Sequence, residues 1–197
     1  MLPERKTIRL DPSRYLGRNI YFLTFCCEGR ARVFGNADRA LWIVEMIRKE
    51  AVDRIEAQPR KEAAHLKVAP TKENTKDEFL VHAYCAMPDH VHVVVEGASD
   101  GSDVGRFVKA FKQVTAFYYK QETGERLWQK KYYDHILRGS DSLDAVMWYV
   151  WLNPVRAGLC EDARSYAYSG SFTLDWNGKS LSVEKWVPPW KDRKDEK

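Results

Sequence analysis

Two histidines stand one residue apart in a short run of valines in MPDHVHVVVEG, residues 87–97. Side chains alternate across a β-strand, so His90 and His92 share one face while the valines between and after them occupy the other. The two imidazoles are then about 7 Å apart along the strand, and both can turn toward one metal ion. A closed zinc site takes four ligands. The pair therefore favours an open site for a divalent ion that polarises a phosphate.

Such a site needs an oxygen ligand and a nucleophile, and the segment SLDAVMWYVWLNPVRAGL, residues 142–159, offers candidates for both. Its apolar residues recur at helical spacing: Leu143, Val146, Met147 and Val150. Tyr149 and Asn153 fall one helical turn apart on the flank of that stripe. Pro154 cannot continue the hydrogen-bond ladder, so the helix is expected to end or kink at Asn153, whose carboxamide oxygen suits a hard cation. Alternatively, Tyr149 is one more packed aromatic beside its neighbouring tryptophans.

Apolar periodicity predicts the elements that must position these residues. Strands are expected at 19–27, 79–87, 90–97 and 131–138. Helices are expected at 37–55, at 104–121 and at 140–153, the last with Ser140 or Asp141 as its N-cap. The order predicts an α+β fold, a ferredoxin-like split βαβ with an antiparallel sheet and an appended C-terminal helix. Residues 1–197 are interpreted as a single domain, with a flexible insertion at 57–78 and an irregular basic tail at 175–197.

Two segments resemble a known family. MPDHVHVVVEG is similar to the HUH motif (histidine, hydrophobic residue, histidine) of single-strand nucleases and transposases. The segment LWQKKYYDHILRGSDSLDAVMWYVWLNPVRAGL, residues 127–159, is similar to the second signature of the REP-associated tyrosine transposases, relatives of the single-tyrosine insertion-sequence transposases. The resemblance runs from about residue 19 to residue 171, apart from the insertion.

The resemblance implies an HUH-nuclease fold and a role for each matched residue. His90 and His92 correspond to ligands of Mg²⁺ or Mn²⁺, Tyr149 to the nucleophile and Asn153 to a third ligand. Members of the family cut single-stranded DNA beside a hairpin, form a 5′-phosphotyrosine bond, release a free 3′-hydroxyl and can rejoin strands. The phosphotyrosine keeps the bond energy for rejoining, and the sequence has no Walker-type glycine loop.

Three more side chains are candidates to orient a ligand or the leaving group. Glu96 shares the predicted histidine face, and Asp134 and His135 lie on the predicted strand 131–138. A structural hydrogen-bonding role for Asp134 and His135 fits the sequence equally well. His82, on the neighbouring strand, is interpreted as a packing residue.

The basic residues that are candidates for contacts with DNA phosphates fall in three groups. They are Arg14, Arg18, Arg30 and Arg32 near the first strand, Lys109, Lys112 and Lys120 on the helix at 104–121, and Lys130 and Lys131 before the strand at 131–138. Alternatively, these basic residues only form a solvated surface and do not contact DNA. Trp128 and Tyr132 are candidates to stack on unpaired bases of a hairpin.

Composition sets broader limits. Seven tryptophans and an aromatic content of 13% argue against a disordered chain, and a net charge of +4 permits a nucleic-acid partner. No apolar stretch of about 18 residues and no signal segment is visible, which predicts a cytoplasmic protein, associated with the nucleoid when bound to DNA. The four cysteines form no C-x-x-C pair, and Cys26 and Cys85 are interpreted as core thiols.

Tyr118 lies on the apolar stripe of the helix expected at 104–121, and it is expected to be buried.

Three other functions stay open at this point. One is a metal phosphodiesterase in which water attacks the phosphate. Another is a non-catalytic module that binds hairpin DNA or RNA, and the third is a degenerate relative that still binds hairpins. The REP-associated relatives favour a monomer, whereas the insertion-sequence relatives favour a dimer.

Overall fold

The computed structural model describes residues 15–51, 79–182 and 185–188. Its helices and strands are β1 (Ile20–Cys26), α1 (Ala37–Ala51), β2 (Phe79–Met87), β3 (His90–Gly97), α2 (Val104–Thr123), β4 (Tyr133–Ile136), α3 (Leu143–Trp151), α4 (Asn153–Arg156) and β5 (Ser169–Gly170). The strands form a five-stranded sheet in the order β4-β1-β3-β2-β5, and each neighbouring pair is antiparallel. The predicted split βαβ arrangement is therefore confirmed, with α3, α4 and β5 appended to it.

The valines of β3 fix which way the two histidines point. Val91, Val93 and Val95 are fully buried in a core that includes Ile43 of α1 and Phe111 of α2. Burial of each valine side chain contributes about 1.5–3 kcal/mol, and a slip of one residue in strand register would move all three to the wrong face. The histidines are thereby held on the opposite face, as the alternation predicted.

That opposite face is covered by α3. Phe22 of β1 and Val94 of β3 pack in a second core with Val146, Val150 and Trp151, all of which are fully buried. The indole Nε1 of Trp151 also donates to the carbonyl oxygen of Gly170, 2.9 Å away. This packing holds the helix that carries Tyr149 above the histidine face of the sheet.

The helix α3 begins later than expected. Its N-cap is Ser142, whose hydroxyl accepts from the backbone N–H of Ala145, so the predicted caps Ser140 and Asp141 are wrong. The Asp141 carboxylate is engaged elsewhere, because it accepts from the backbone N–H of Arg138. At its other end α3 stops before Leu152, and α4 begins at Asn153 with Pro154 in its first turn. The break predicted from Pro154 is confirmed.

Other sequence predictions differ in detail. The strand expected at 131–138 is shorter, Tyr133–Ile136. Tyr118 is expected to be buried but is 43% exposed. The buried face of α2 includes Phe111 and Tyr119, and Tyr118 is rotated about 100° around the helix axis from Tyr119. The insertion expected at 57–78 lies outside the described residues. Residues 175–182 and 185–188 are irregular, as expected for the tail, and the rest of the tail lies outside the described part. None of the described helices is long and apolar enough to cross a membrane.

Candidate active site

His90 and His92 form a close pair on β3. Their Nε2 atoms are 3.1 Å apart, and the two rings are nearly perpendicular, with centroids separated by 4.6 Å. His92 is 5% exposed, and the His90 side chain is 17% exposed. The two imidazoles predicted to converge from one strand face do converge, and their Nε2 edges are directed at each other.

The other nitrogen of each ring has its own partner. His90 Nδ1 lies 2.6 Å from Asp89 Oδ1, and His92 Nδ1 lies 2.8 Å from Thr24 Oγ1. A carboxylate can only accept, so Nδ1 of His90 carries the proton, and its Nε2 is left with a lone pair when the ring is neutral. Burial lowers the pKa of His90, although Asp89 opposes the shift, and this favours the neutral ring. Such partners commonly orient histidines that bind metals.

Arg30 supports this arrangement from a neighbouring turn. Its guanidinium lies 3.4 Å from Asp89 Oδ2 and donates to Cys26 Sγ at 3.1 Å. Arg30 has a φ of 60°, directly after Gly29 at 58°, and no other described non-glycine residue has a positive φ. That conformation costs about 1–2 kcal/mol for an L-residue.

Cys26 is only half-buried, so its interpretation as a core thiol is wrong, whereas Cys85 is fully buried as expected.

The donor set fits a divalent ion in an open site. Two nitrogens that bind one ion at about 2.0–2.1 Å and at roughly a right angle are about 3 Å apart, close to the separation of the two Nε2 atoms. Within the described residues, no group of three or more His, Cys, Asp or Glu side chains is placed to hold a metal. The carboxamide oxygen of Asn153 stays the third ligand that the sequence predicts.

Tyr149 lies beside the histidine pair. Its ring centroid is 6.3 Å from that of His92, with an edge-on orientation. Phe22 and Trp186 pack against the same ring, with centroids at 6.0 and 5.0 Å. Burial raises the pKa of Tyr149, and Arg156 opposes the shift. The phenol is thus protonated at neutral pH, and its ring lies beside that of His92.

Asn153 begins α4, one turn after Tyr149. Its Nδ2 donates to the carbonyl oxygens of Tyr149 and Val150, at 3.0 and 3.2 Å. These bonds cover the end of α3, where carbonyls lose their helical partners. Because the amide nitrogen is used in this way, the carboxamide oxygen is the atom that Asn153 could offer to a cation.

Two of the additional candidates do not join the histidine pair. Glu96 Oε2 lies 2.7 Å from His82 Nε2. Glu96 is four residues beyond His92 on β3, and it is therefore about 13 Å from His92 along the strand. Asp134 accepts from the hydroxyl of Tyr15, which packs against the valine-face core. Asp134 therefore points away from the histidine face, since strand β4 alternates like the others.

His135 does lie on the histidine side of the sheet. Its Nε2 is 3.2 Å from Asp141 Oδ2, and its ring centroid is 5.9 Å from that of Trp186. Trp186 Nε1 donates to Asp141 Oδ1 at 3.1 Å. His135 is thus linked to Tyr149 through Trp186, which packs on both rings, and this fits a structural role.

The basic candidates fall into separate regions. Arg30 and Arg32 are exposed near the β2–β3 turn, where the backbone N–H of Phe34 donates to the carbonyl of Pro88. Lys130 and Lys131 are exposed beside the same end of β1, because the N–H of neighbouring Gln129 donates to the carbonyl of Cys26. These four cations surround the end of the sheet at which His90 lies.

The remaining candidates lie elsewhere or are already engaged. Arg18 is paired with Asp100 at the opposite end of β1. Lys112 Nζ donates to the carbonyls of Gln129 and Lys130, at 2.8 and 3.2 Å, and so braces that loop. Lys109 and Lys120 are exposed on α2, which covers the valine face. Arg14 lies outside the described residues.

Trp128 is not available to stack on a base. It is 6% exposed, and its Nε1 donates to Thr115 Oγ1 at 2.8 Å. The backbone bridge between Cys27 and Trp128 draws the ring into the core against Phe25 and Phe34. Tyr132 is half-buried and remains a candidate.

Sequence reasoning missed several residues of the site. Asp89 could have been found as the residue directly before His90, and Arg156 belongs to the quoted NPVRAGL signature. Thr24 contacts His92 only because of the β1–β3 register. Nothing in the sequence around Trp186 indicates a contact with Tyr149, since Trp186 stands in an irregular segment 37 residues after it.

Comparisons with known proteins support a transposase-like fold. The model of the family described as "Transposase IS200 like" matches residues 47–152, more than half of the chain, including both histidines and Tyr149. A REP-associated tyrosine transposase of Escherichia coli is 26% identical over 112 residues, 51% of this chain and 64% of that protein. An uncharacterised protein of Haemophilus influenzae is 25% identical over 176 residues, 77% of this chain and 88% of that protein.

A solved structure has a similar fold. It is that of a REP-associated tyrosine transposase bound to a REP hairpin, with a TM-score of 0.57 and 14% sequence identity. The superposition covers 93% of this chain and 100% of that one. At 14% sequence identity, the similarity shows a shared fold and no more.

Proposed function

The chain belongs to the IS200-like transposase family, and from that premise we propose that it cuts and rejoins single-stranded DNA beside a hairpin through a covalent bond to Tyr149. The observation that carries the proposal is the placement of the Tyr149 ring 6.3 Å from His92, itself paired with His90 through Nε2 atoms 3.1 Å apart. A nucleophile and two potential metal ligands thus meet on one face of the sheet.

The proposed reaction is a transesterification. The phenol oxygen of Tyr149 bonds to the scissile phosphorus as its proton leaves, and the bond from phosphorus to the upstream 3′-oxygen breaks. That oxygen takes up a proton and departs as a free 3′-hydroxyl, while the downstream strand stays on Tyr149 as a 5′-phosphotyrosine. Attack by a 3′-hydroxyl on this bond reverses the step and rejoins a strand, so no other energy source is needed.

His90, His92 and Asn153 are the residues that would hold Mg²⁺ or Mn²⁺. When bound, the ion would polarise the scissile phosphate and neutralise the charge that develops on it. Asp89 and Thr24 hold the two imidazoles with Nε2 toward the site. The packing of Phe22 and Trp186 around Tyr149 limits the rotation of its ring and excludes water from one side of it.

DNA would reach the site from the basic end of the sheet. Arg32, Lys130 and Lys131 are exposed there, and they would contact phosphates without reading sequence, whereas Arg30 is paired with Asp89. Such contacts release counterions, so binding should weaken steeply as salt rises. A hairpin with single-stranded flanks is the proposed substrate, since the structural relative described above is bound to a REP hairpin.

Two substrates and one pair of variants test the proposal. Purified protein is incubated with Mg²⁺ or Mn²⁺ and either a 3′-labelled hairpin with single-stranded flanks or a perfect duplex of the same sequence. We expect a protein–DNA adduct on a denaturing gel with the hairpin only, and mass spectrometry of the digested adduct should place the nucleotide on Tyr149. Replacing both His90 and His92 with alanine should abolish the adduct and leave the fold intact.

His82→Ala is the matched control, because His82, on β2, lies on the same face of the sheet but pairs with Glu96 away from the site. Equal reaction of duplex and hairpin would contradict the proposed substrate. Undiminished cleavage by the double alanine variant would contradict the proposed metal ligands. Cleavage without an adduct in the wild-type protein would replace Tyr149 by an activated water molecule.

A further inference from the structure

Arg156 leans back across the break between α4 and α3 and covers the ring of Tyr149. Its guanidinium carbon lies 4.3 Å from the centroid of that ring. One guanidinium nitrogen also donates to the backbone carbonyl oxygen of Tyr149. The side chain therefore contacts the same residue twice, through its ring and through its main chain.

The break between α3 and α4 leaves the carbonyl of Tyr149 in need of a donor other than a helical N–H. In a continuous helix, the carbonyl of Tyr149 would accept from the backbone N–H of residue 153, but α3 ends before Leu152 and Pro154 follows in the first turn of α4. The end of a helix leaves carbonyls that need other donors. Arg156 and the amide of Asn153 supply donors to the carbonyl of Tyr149. The side chains of Asn153 and Arg156 are thereby tied to the backbone of Tyr149 across the break.

The contact adds a charge that the other neighbours of the ring lack. Phe22 and Trp186 pack on Tyr149 and supply apolar surface. A guanidinium over an aromatic face is attracted by the ring quadrupole, and more strongly when the pair is shielded from water. Arg156 is exposed as a residue, so its loss need not disturb either core.

We propose that Arg156 is a positioning residue for Tyr149, which keeps the Tyr149 ring beside that of His92 by stacking on it and by holding its backbone carbonyl across the helix break. The inference rests on the proposed role of Tyr149 as nucleophile. It assigns to the arginine of the NPVRAGL segment a function in the orientation of the nucleophile, distinct from contact with the substrate.

Three variants separate this role from others. Arg156→Gln keeps a planar donor without charge, Arg156→Lys keeps the charge without the planar stack, and Arg156→Ala removes both. The control is Arg164→Gln, since Arg164 also lies over an aromatic ring of α3, that of Trp148 at 5.4 Å, and donates to backbone carbonyls. Adduct formation is measured in single turnover at saturating hairpin, with hairpin affinity measured separately.

We expect Arg156→Gln to slow adduct formation by about 10- to 100-fold, because a misplaced nucleophile loses much of its advantage. Hairpin affinity should stay within about twofold, since only the bound complex would react more slowly. Arg156→Lys should be intermediate, guanidinium ion added to Arg156→Ala should restore part of the rate, and Arg164→Gln should match the wild type.

A measurement without DNA or metal makes the inference independent of activity. Nuclear Overhauser contacts between the Tyr149 ring and the Trp186 indole, assigned with Tyr149→Phe, should weaken in Arg156→Gln and persist in Arg156→Lys. Unchanged ring contacts in Arg156→Gln would overturn the inference, as would an unchanged rate. A rate that falls only in parallel with hairpin affinity would instead make Arg156 a phosphate contact. If the wild type forms no adduct, the proposed function fails, and the ring contacts alone decide whether Arg156 positions Tyr149.

Discussion

Thr24 Oγ1 lies 2.8 Å from His92 Nδ1, and the two residues face each other directly across β1 and β3. Both residues are less than 9% exposed. The hydroxyl therefore fixes which ring nitrogen of His92 faces the site, and it does so through strand register. The same pairing places Cys26 opposite His90. Thr24 thus orients His92 from the neighbouring strand, whereas Asp89 holds His90 from the preceding residue.

Thr24→Val should weaken the binding of Mn²⁺. The substitution keeps the shape of the side chain and removes the hydrogen bond to His92, and the loss of such a partner commonly costs at least about 10-fold in metal affinity. Thr24→Ser keeps the hydroxyl and should bind nearly as tightly as the wild type. Titration followed by electron paramagnetic resonance measures both, and equal affinities of the valine and serine variants would contradict the assigned role.

Asp89→Ala should weaken Mn²⁺ binding by about 10- to 100-fold, since it removes the carboxylate that holds Nδ1 of His90. Asp141 offers a matched control, because its carboxylate also lies within hydrogen-bonding distance of a histidine, His135, but away from the paired Nε2 atoms. Isothermal titration of Asp89→Ala and Asp141→Ala with Mn²⁺ compares them directly. A comparable loss in both variants would mean that the effect is not specific to the histidine pair.

Arg32→Gln should weaken the binding of hairpin DNA at every sequence tested and lower the slope of log affinity against log salt by about one. Arg18→Gln should have little effect, because Arg18 is paired with Asp100 at the other end of β1. Fluorescence anisotropy across a salt series provides both slopes. A larger effect at Arg18 than at Arg32 would move the DNA to the other end of the sheet.

Trp128→Phe should destabilise the fold without weakening DNA binding. The change removes one hydrogen bond to the Thr115 hydroxyl, which still donates to the carbonyl of Phe111, and the loss of such a bond costs about 0.5–1.5 kcal/mol. Tyr132→Leu, at a half-buried position, serves as the comparison for base stacking. Urea unfolding and hairpin affinity below the unfolding transition separate the two effects. Reduced affinity with unchanged stability in Trp128→Phe would restore the stacking role.

Alternation along β3 and the break at Pro154 were readable from the sequence because both are local. Period-two spacing separates His90 and His92 from the valines whatever surrounds the strand, and a proline beyond the first turn interrupts a helix. These two features account for the histidine pair and for the position of Tyr149 at the end of α3.

The contacts that depend on distant pairing were not readable. Asp134 faces away from the histidines because of the β1–β4 register, in which it lies opposite Leu23. Trp128 is drawn inward by a backbone bridge to Cys27. Trp186 reaches Tyr149 from a segment without helical or strand periodicity. In each case, the deciding interaction joins residues that no short sequence window contains.

A comparison of Tyr149→Phe with Tyr133→Phe decides whether Tyr149 is the nucleophile. Both tyrosines pack on Phe22, with ring centroids at 6.0 and 6.3 Å, but Tyr133 lies on β4 across Thr24 from His92. Each variant is incubated with a 3′-labelled hairpin and Mn²⁺ and resolved on a denaturing gel. Tyr149→Phe should bind the hairpin and form no adduct, whereas Tyr133→Phe should form it like the wild type. An adduct that persists in Tyr149→Phe and disappears in Tyr133→Phe would contradict the account.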